Sequence, residues 1–268
     1  MKINKKKLIK ISVLITVFNE EKYIEKSLKS IIKQSFTNWE AIIIDDNSSD
    51  NTAKIIKKFK DRRINYFKLN KHLGRRRAIN FGLKKCKGNF ISILDADDSF
   101  LKNKLMKQAI FIKQNKNVKF LATWANIIDK KHNKIILYKT PIKQEDIKKK
   151  LLINNILGHS TIIFDKNFAN HHKLTPYRFK YAVDYELILK FLKYTKIYVL
   201  TEPLADIVWR NDSISSLKKN KLIIIKDDLK CLNYAQKNIK HDLKDSIMMK
   251  IKKLKLLLKL SLSRLGII

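Results

Sequence analysis

Carboxylates gather at two places where apolar runs end. Asp45-Asp46 follows the run at 40–44, and Asp95-Ala96-Asp97-Asp98 follows the run at 90–94. A third run, 11–17, contains Thr16 and is followed closely by Asn19-Glu20-Glu21. One such Asp is explained as a helix N-cap or turn former. Four of them, Asp45, Asp46, Asp95 and Asp97, at two run ends call for more, because clustered like charges repel unless a cation or hydrogen-bond donors offset them. Hard divalent cations take oxygen ligands, and Mg²⁺ or Mn²⁺ commonly uses one or two carboxylates completed by phosphate oxygens and water. Arg75-Arg76-Arg77 opens a helical segment. Arginine forks match phosphate oxygens, and the plainer reading of the triplet is a solvated basic face. Asp184 opens another helical segment, where the helix dipole favours the charged, proton-accepting form. On its own it reads equally well as a terminal helix carboxylate without chemistry.

The elements that must position these residues alternate. Continuous apolar, β-branched runs at 11–17, 40–44, 64–69 and 90–94 read as strands buried on both faces. Between them, 21–34, 51–60 and 75–86 carry helical spacing, with Ser49-Asp50-Asn51 offering an N-cap and Gly88 a stop. This predicts an α/β fold, a Rossmann-like, mostly parallel sheet with helices on both faces. In such sheets ligands sit beyond the carboxyl ends of the strands, so the carboxylates should converge on one crevice. After residue 116 the pattern changes. Strands are predicted at 118–128, 135–138, 160–164, 197–200 and 204–209, helices at 145–153 and 183–194, and basic helices from 217 onward. The division expected is a catalytic domain at 1–216, with a nucleotide-binding half at 10–115 and an acceptor half at 116–216, and a basic helical extension at 217–268.

The chain of 268 residues is 45% apolar, enough for a packed core. Its 59 basic and 24 acidic residues give a formal charge of +35. That charge suits a polyanionic partner, and it also suits compositional drift, since Lys, Ile and Asn crowd every stretch. Cys86 and Cys231 alone form neither a zinc site nor a disulfide framework, which points to a reducing, cytoplasmic compartment. The basic segment 1–10 before the run at 11–18 mimics a signal peptide, but the run is short and no small-residue cleavage site follows. No apolar stretch approaches membrane-span length.

Taken in order, residues 11–21, Ile44-Asp45-Asp46-Asn47-Ser48-Ser49-Asp50 and Leu94-Asp95-Ala96-Asp97-Asp98 resemble the opening of family 2 glycosyltransferases of the GT-A fold. Gly74, Ala78, Asn80, Gly82 and Gly88 resemble that family's Gly…Ala-x-Asn-x-Gly helix. Gly158-His159-Ser160-Thr161, Val183-Asp184-Tyr185-Glu186-Leu187, Pro203-Leu204 and Trp209-Arg210 with Ser213 and Ser215 continue the family's order. The resemblance covers roughly residues 10–216. It implies an inverting transferase that uses a nucleoside-diphosphate sugar and a divalent metal, Mn²⁺ or Mg²⁺. It gives the metal to Asp97, with Asp95 sharing it or facing the ribose. Asp46 is implied at the base edge, Thr16 nearby, and Asn19, Glu20, Asp45, Arg75 and Arg77 as further donor contacts. Asp184 is implied as the base that takes the acceptor proton, and His159 as an aid in positioning the acceptor. The family's products suggest a glycan or lipid-linked acceptor in surface polysaccharide synthesis. Val183 stands where the family often has Glu, and Asp212 where it often has His, which bears on acceptor type.

Rival chemistries fare less well. Residues 16–21 contain no glycine, which removes a nicotinamide dehydrogenase and a P-loop enzyme. A sugar nucleotidyltransferase shares carboxylates and metal but wants a glycine-rich first loop. A nucleic-acid-binding protein is supported by charge alone, with no basic and aromatic residues interleaved on one element, so no nucleic-acid partner is expected. At the far end, Ile247, Ile251, Leu254, Leu258, Leu262 and Leu265 form a helical stripe among lysines. Residues 247–265 are therefore either a helix docking that stripe on the catalytic domain or an interfacial helix on an anionic leaflet, which would make the protein peripheral on the inner face of the cell membrane.

Overall fold

The computed structural model describes residues 8–175, 177–210 and 220–264. The first part alternates as expected: β1 (Ile11–Val17), α1 (Ile24–Ile32), β2 (Trp39–Asp45), α2 (Thr52–Lys57), β3 (Ile64–Lys68), α3 (Arg75–Lys85) and β4 (Phe90–Ile93). There follow β5 (Ser99–Phe100), α4 (Lys104–Gln114), β6 (Phe120–Asp129), β7 (Lys134–Tyr138) and α5 (Gln144–Leu151). A single 3₁₀ turn (His159–Thr161) leads to β8 (Ile163–Asp165), α6 (Lys166–His171), α7 (Val183–Tyr194) and β9 (Tyr198–Trp209). Two helices, α8 (Lys221–Asn238) and α9 (Leu243–Arg264), end the described chain.

All nine strands join one sheet in the order β3-β2-β1-β4-β8-β6-β9-β5, with β7 paired to β6. The strands β3, β2, β1 and β4 are parallel. Beyond them β8 runs antiparallel between β4 and β6, and β9 runs parallel to β6. The strands expected at 197–200 and 204–209 are one, β9. Pro203 lies opposite Trp124 where the register with β6 shifts, and an irregularity tolerates the missing proline N–H.

Strand alternation splits the core into two layers. Leu14, Ile42 and Ile44 face the layer built with α3, α5, α7 and α8. Ile11, Val13, Ile15, Ala41 and Ile43 face the layer built with α1, α2 and α4. Helix α3 lies so close to the sheet that a Cβ at Gly82 would stand 2.3 Å from Leu14 Cδ1 and 2.9 Å from Ile44 Cγ1. Both neighbours are fully buried, so Gly82→Val should destabilise the fold by about 1–3 kcal/mol through overpacking. A lower urea midpoint at unchanged m-value is the expected readout, and an unchanged midpoint would show that the layer can yield.

Candidate active site

Beyond the carboxyl ends of β1, β2 and β4 lies a crevice of about 1010 Å³. Its wall includes Thr16 to Glu20, Asp46, Asp95 to Asp98, Ile207 to Arg210 on the β9 side, and Asp184 at the start of α7. Helix α8 adds Ile224 and Asp228. Among the described residues, seven carboxylates line it, Glu20, Asp46, Asp95, Asp97, Asp98, Asp184 and Asp228, against two arginines, Arg75 and Arg210. In a chain of charge +35 this cleft is locally acidic.

The loops after β1 and β2 are laced together. The N–H of Asn19 donates to Ser48 Oγ at 3.0 Å and the N–H of Ser49 to Asn19 Oδ1 at 2.9 Å. The N–H of Glu20 donates to Thr52 Oγ1 at 2.9 Å, and that of Glu21 to Asp50 Oδ2 at 3.1 Å. Asn19 and Asn47 adopt left-handed φ values of 54° and 69°, which Asn tolerates well. Asp46 organises the next loop by accepting the N–H groups of Leu73 and Gly74, both at 2.7 Å. Gly74 sits at φ +85°, a conformation that side chains rarely adopt. That turn sets His72 against Asp46 Oδ2 at 2.9 Å and against the Phe18 ring, with centroids 4.0 Å apart. Asp45 points the other way. It is fully buried, accepts the N–H of Ser48 at 2.7 Å and the Tyr66 hydroxyl at 2.7 Å, and does not line the crevice.

The arginine triplet divides in the same manner. Arg75 reaches into the crevice, where Nη2 donates to Asp95 Oδ1 at 2.6 Å and lies 2.8 Å from His159 Nδ1. Arg76 donates to the carbonyl of Arg178 at 2.8 Å. Arg77 is exposed and outside the crevice wall, so the donor contact expected of it has no geometric basis here. Burial opposes charge on Asp95, but Arg75 and then His159 outweigh it and hold the carboxyl well below its ordinary range. Asp97 goes the other way: burial and then the Asp95 charge push it up, against the pull of Arg210. Arg210 bridges two strand ends, with Nε donating to Asp97 Oδ2 at 2.9 Å and Nη2 to Glu20 Oε1 at 2.5 Å. Its guanidinium also stacks 4.5 Å over the Tyr23 ring. Asp98 accepts the Ser160 hydroxyl at 2.5 Å and the N–H of Val208 at 2.9 Å, which ties β9 to the end of β4.

Among the described residues, no three His, Cys, Asp or Glu side chains form a metal cage. Asp95 and Asp97 fit a different kind of site, one or two carboxylates completed by diphosphate oxygens. The charge count supports that fit. Among the described residues, carboxylates outnumber arginines on the crevice wall, and an anionic diphosphate entering there gains from an accompanying cation.

At the start of α7, Asp184 is half-buried, and Asn155 Nδ2 donates to its Oδ2 at 2.8 Å. The loop before α7 that delivers it is pinned from three helices. Asn80 of α3 exchanges two hydrogen bonds with the backbone of Tyr177, at 2.8 and 3.0 Å. Glu186 of α7 accepts the N–H groups of Arg178 and Phe179, at 2.7 and 2.8 Å. Asp227 of α8 accepts those of Lys180 and Tyr181, both at 2.8 Å. The next residue, Asp228, faces the crevice half-buried. Burial is the main force that pushes its carboxyl up to about 6, the Asp184 charge adds to it, and Lys252 of α9 opposes it.

The profile of glycosyl transferase family 2 matches residues 12–178 of the chain. The protein belongs to this family. It is 34% identical over 185 residues to the Escherichia coli UDP-Glc:alpha-D-GlcNAc-diphosphoundecaprenol beta-1,3-glucosyltransferase WfgD, an alignment spanning 68% of this chain and 70% of that protein. Its fold is similar to that of S. aureus TarS solved in complex with UDP-GlcNAc, with a TM-score of 0.72 and 20% identity over 90% of this chain and 70% of that one. It is also similar to the Pyrobaculum calidifontis mannosyltransferase PcManGT solved with GDP-Man and Mn²⁺, with a TM-score of 0.65 and 14% identity over 91% of this chain and 69% of that one. These likenesses establish the GT-A fold. Membership favours glycosyl transfer over the nucleotidyltransferase and nucleic-acid-binding alternatives.

For a family 2 chain, the crevice collects Thr16, Asn19, Glu20, Asp46, Arg75, Asp95, Asp97 and Asp184 on one wall or another, while Asp45 and Arg77 stay outside. Asp212, Ser213 and Ser215 lie outside the described residues. Sequence reasoning missed His72, Asn155 and Asp228. His72 precedes Gly74 by two residues, so a turn glycine next to an aromatic was a usable signal. Asp228 carried none, because an Asp pair in a lysine-rich helix reads as surface.

Proposed function

We propose that the protein is an inverting glycosyltransferase. In this reading it moves a sugar from a nucleoside-diphosphate donor to a hydroxyl of a glycan or lipid-linked acceptor during surface polysaccharide synthesis, on the cytoplasmic side. The observation that carries the proposal is that Asp97 and Asp184 line one crevice, each with its own partner. The two cysteines are buried and free, in keeping with a reducing compartment.

The nucleoside base lies over Phe18 and His72, with Asp46 at its edge and Thr16 beside the ribose. Asp97, with Asp95, holds the divalent cation, which when bound offsets the charge of the leaving diphosphate. Arg75 keeps Asp95 ionised. At the start of α7, Asp184 takes the proton of the acceptor hydroxyl as that oxygen attacks the anomeric carbon. The bond to the diphosphate oxygen breaks on the far side of that carbon, so a single displacement inverts it. Asn155 fixes Asp184 for this step, and His159 stands beside Asp95 and Arg75. Calorimetric titration with UDP and GDP in Mn²⁺, followed by a transfer screen over their sugars, tests the reading. A protein that binds neither diphosphate with metal present would end it.

Asp228 is placed to receive acceptor hydroxyls beside Asp184. Asp228→Asn should raise the acceptor KM about tenfold with kcat little changed, the scale of losing one charged hydrogen bond. Because the carboxyl is raised in the folded state, the native protein binds more protons than the unfolded chain between the ordinary carboxylate range and about 6. Stability is therefore lost as pH rises through that window. The Asn variant escapes this loss, so it should melt higher than wild type at pH 7.5 and equally below pH 4. Equal melting at both pH values would remove Asp228 from the buried crevice.

A further inference from the structure

Helix α9 has two apolar rows on opposite sides. At 100° per residue, Met249, Leu256 and Leu260 fall on one side. Met249 and Leu256 are buried in the core layer that α8 completes, and Leu260 packs on it half-buried. Lys252 fastens the same side by donating to Asn154 Oδ1 at 2.6 Å. The other row is Leu243, Ile247, Ile251, Leu254, Leu258 and Leu262, stepping by four, four, three, four and four residues. Every member of this row is exposed, Leu254 to 61% and Leu258 to 64%. The stripe expected from sequence is thus turned away from the catalytic body, and docking is done by other residues. Leu265, the last residue of the expected stripe, lies outside the described residues.

An exposed apolar row of this length is unusual on a soluble surface and marks a contact. Its flanks identify the partner. Lys244 and Lys255 border it on one side and Lys250 on the other. From Ser246 to Arg264 the helix carries no acidic residue. No helix among the described residues is long and apolar enough to cross a membrane, and α9 is interrupted by lysine every few positions. Apolar ridge, cationic borders and amphipathic length together match a helix lying in the headgroup region of an anionic leaflet.

We propose that the ridge Leu243–Leu262 of α9 seats the protein on an anionic lipid surface. The leucines enter the acyl boundary and the bordering lysines meet lipid phosphates. Because α9 packs on α8, and α8 lines the crevice with Asp228, the attachment holds the acceptor wall near the bilayer. Its usefulness rests on the lipid-linked acceptor proposed above, but the attachment itself does not.

The test is co-sedimentation of the full chain with vesicles, without donor or acceptor. One set contains phosphatidylglycerol in phosphatidylcholine, the other phosphatidylcholine alone. Each lysine near an anionic surface strengthens binding about fivefold and each inserted leucine about tenfold or more. The expected result is binding to the anionic set, weakened by salt, and reduced at least about a hundredfold by the double variant Leu254→Glu, Leu258→Glu. Both positions are exposed, so that variant should melt like wild type and bind nucleoside diphosphate equally well. Undiminished vesicle binding by the variant would overturn the proposal, as would equal binding of wild type to both vesicle sets. So would a stable dimer of wild type that the variant dissociates, since the ridge would then be an interface between copies. None of these outcomes touches glycosyl transfer, which the diphosphate titration decides separately.

Discussion

Asp184→Asn is expected to lower turnover by roughly 10²–10⁴-fold, the worth of a positioned general base. The substitution keeps size and an acceptor oxygen for Asn155 Nδ2, so the local geometry should survive while the capacity to hold a proton goes. Binding of nucleoside diphosphate, measured by calorimetry, should be nearly unchanged, because in this mechanism Asp184 serves the acceptor. The contrary pattern, lost diphosphate binding with turnover intact at saturation, would assign Asp184 to the donor and leave the base unidentified.

Asp97→Asn should be nearly as damaging, about 10²–10³-fold or more, the scale of removing one preorganised electrostatic contact. Chelator should silence the wild type to the same degree, with Mn²⁺ or Mg²⁺ restoring it. The substitution should not harm the fold. Burial and the Asp95 charge already raise the Asp97 carboxyl, so its ionised form costs stability at neutral pH, and Asn removes that cost. A variant that melts no lower than wild type yet transfers no sugar is the expected pair of observations. Full wild-type activity in excess chelator would rule out the metal.

The donor side of the crevice was legible because its signals are local. Runs buried on both faces announce β1, β2 and β4, and polar residues at their ends announce the ligand side. What local pattern does not reveal is which of two adjacent carboxylates faces the crevice. Asp45 and Asp46 are one residue apart, so strand alternation sends them to opposite sides, and only the Tyr66 hydroxyl and the Leu73–Gly74 turn show which is which. Arg75 and Arg77 differ for the parallel reason on a helix, where two residues make about 200° of rotation. Helix α4 escaped notice although Leu105, Ala109 and Ile112 hold the proper spacing, because lysines and Gln108 interrupt it. Asp227 and Asp228 depend wholly on tertiary packing, one capping the loop before Asp184 and the other entering the crevice. The stripe on α9 was plain, but periodicity names a row of side chains and not what the row meets.

The ladder from β4 through β8 to β6 joins the two ends of the crevice by backbone hydrogen bonds. A hinge between a donor lobe and an acceptor lobe would have to break that ladder. Exchanges of partner at the crevice wall leave it intact. Arg210 is the group most plainly placed for one, since the carboxylate it holds is the one a cation would claim. The same continuity gives the halves a shared fate on unfolding. Leu14 and Ile42 of the first half share one layer with Leu187 and Phe191 of the second, so neither half keeps its core without the other, and heat should melt them in one cooperative step.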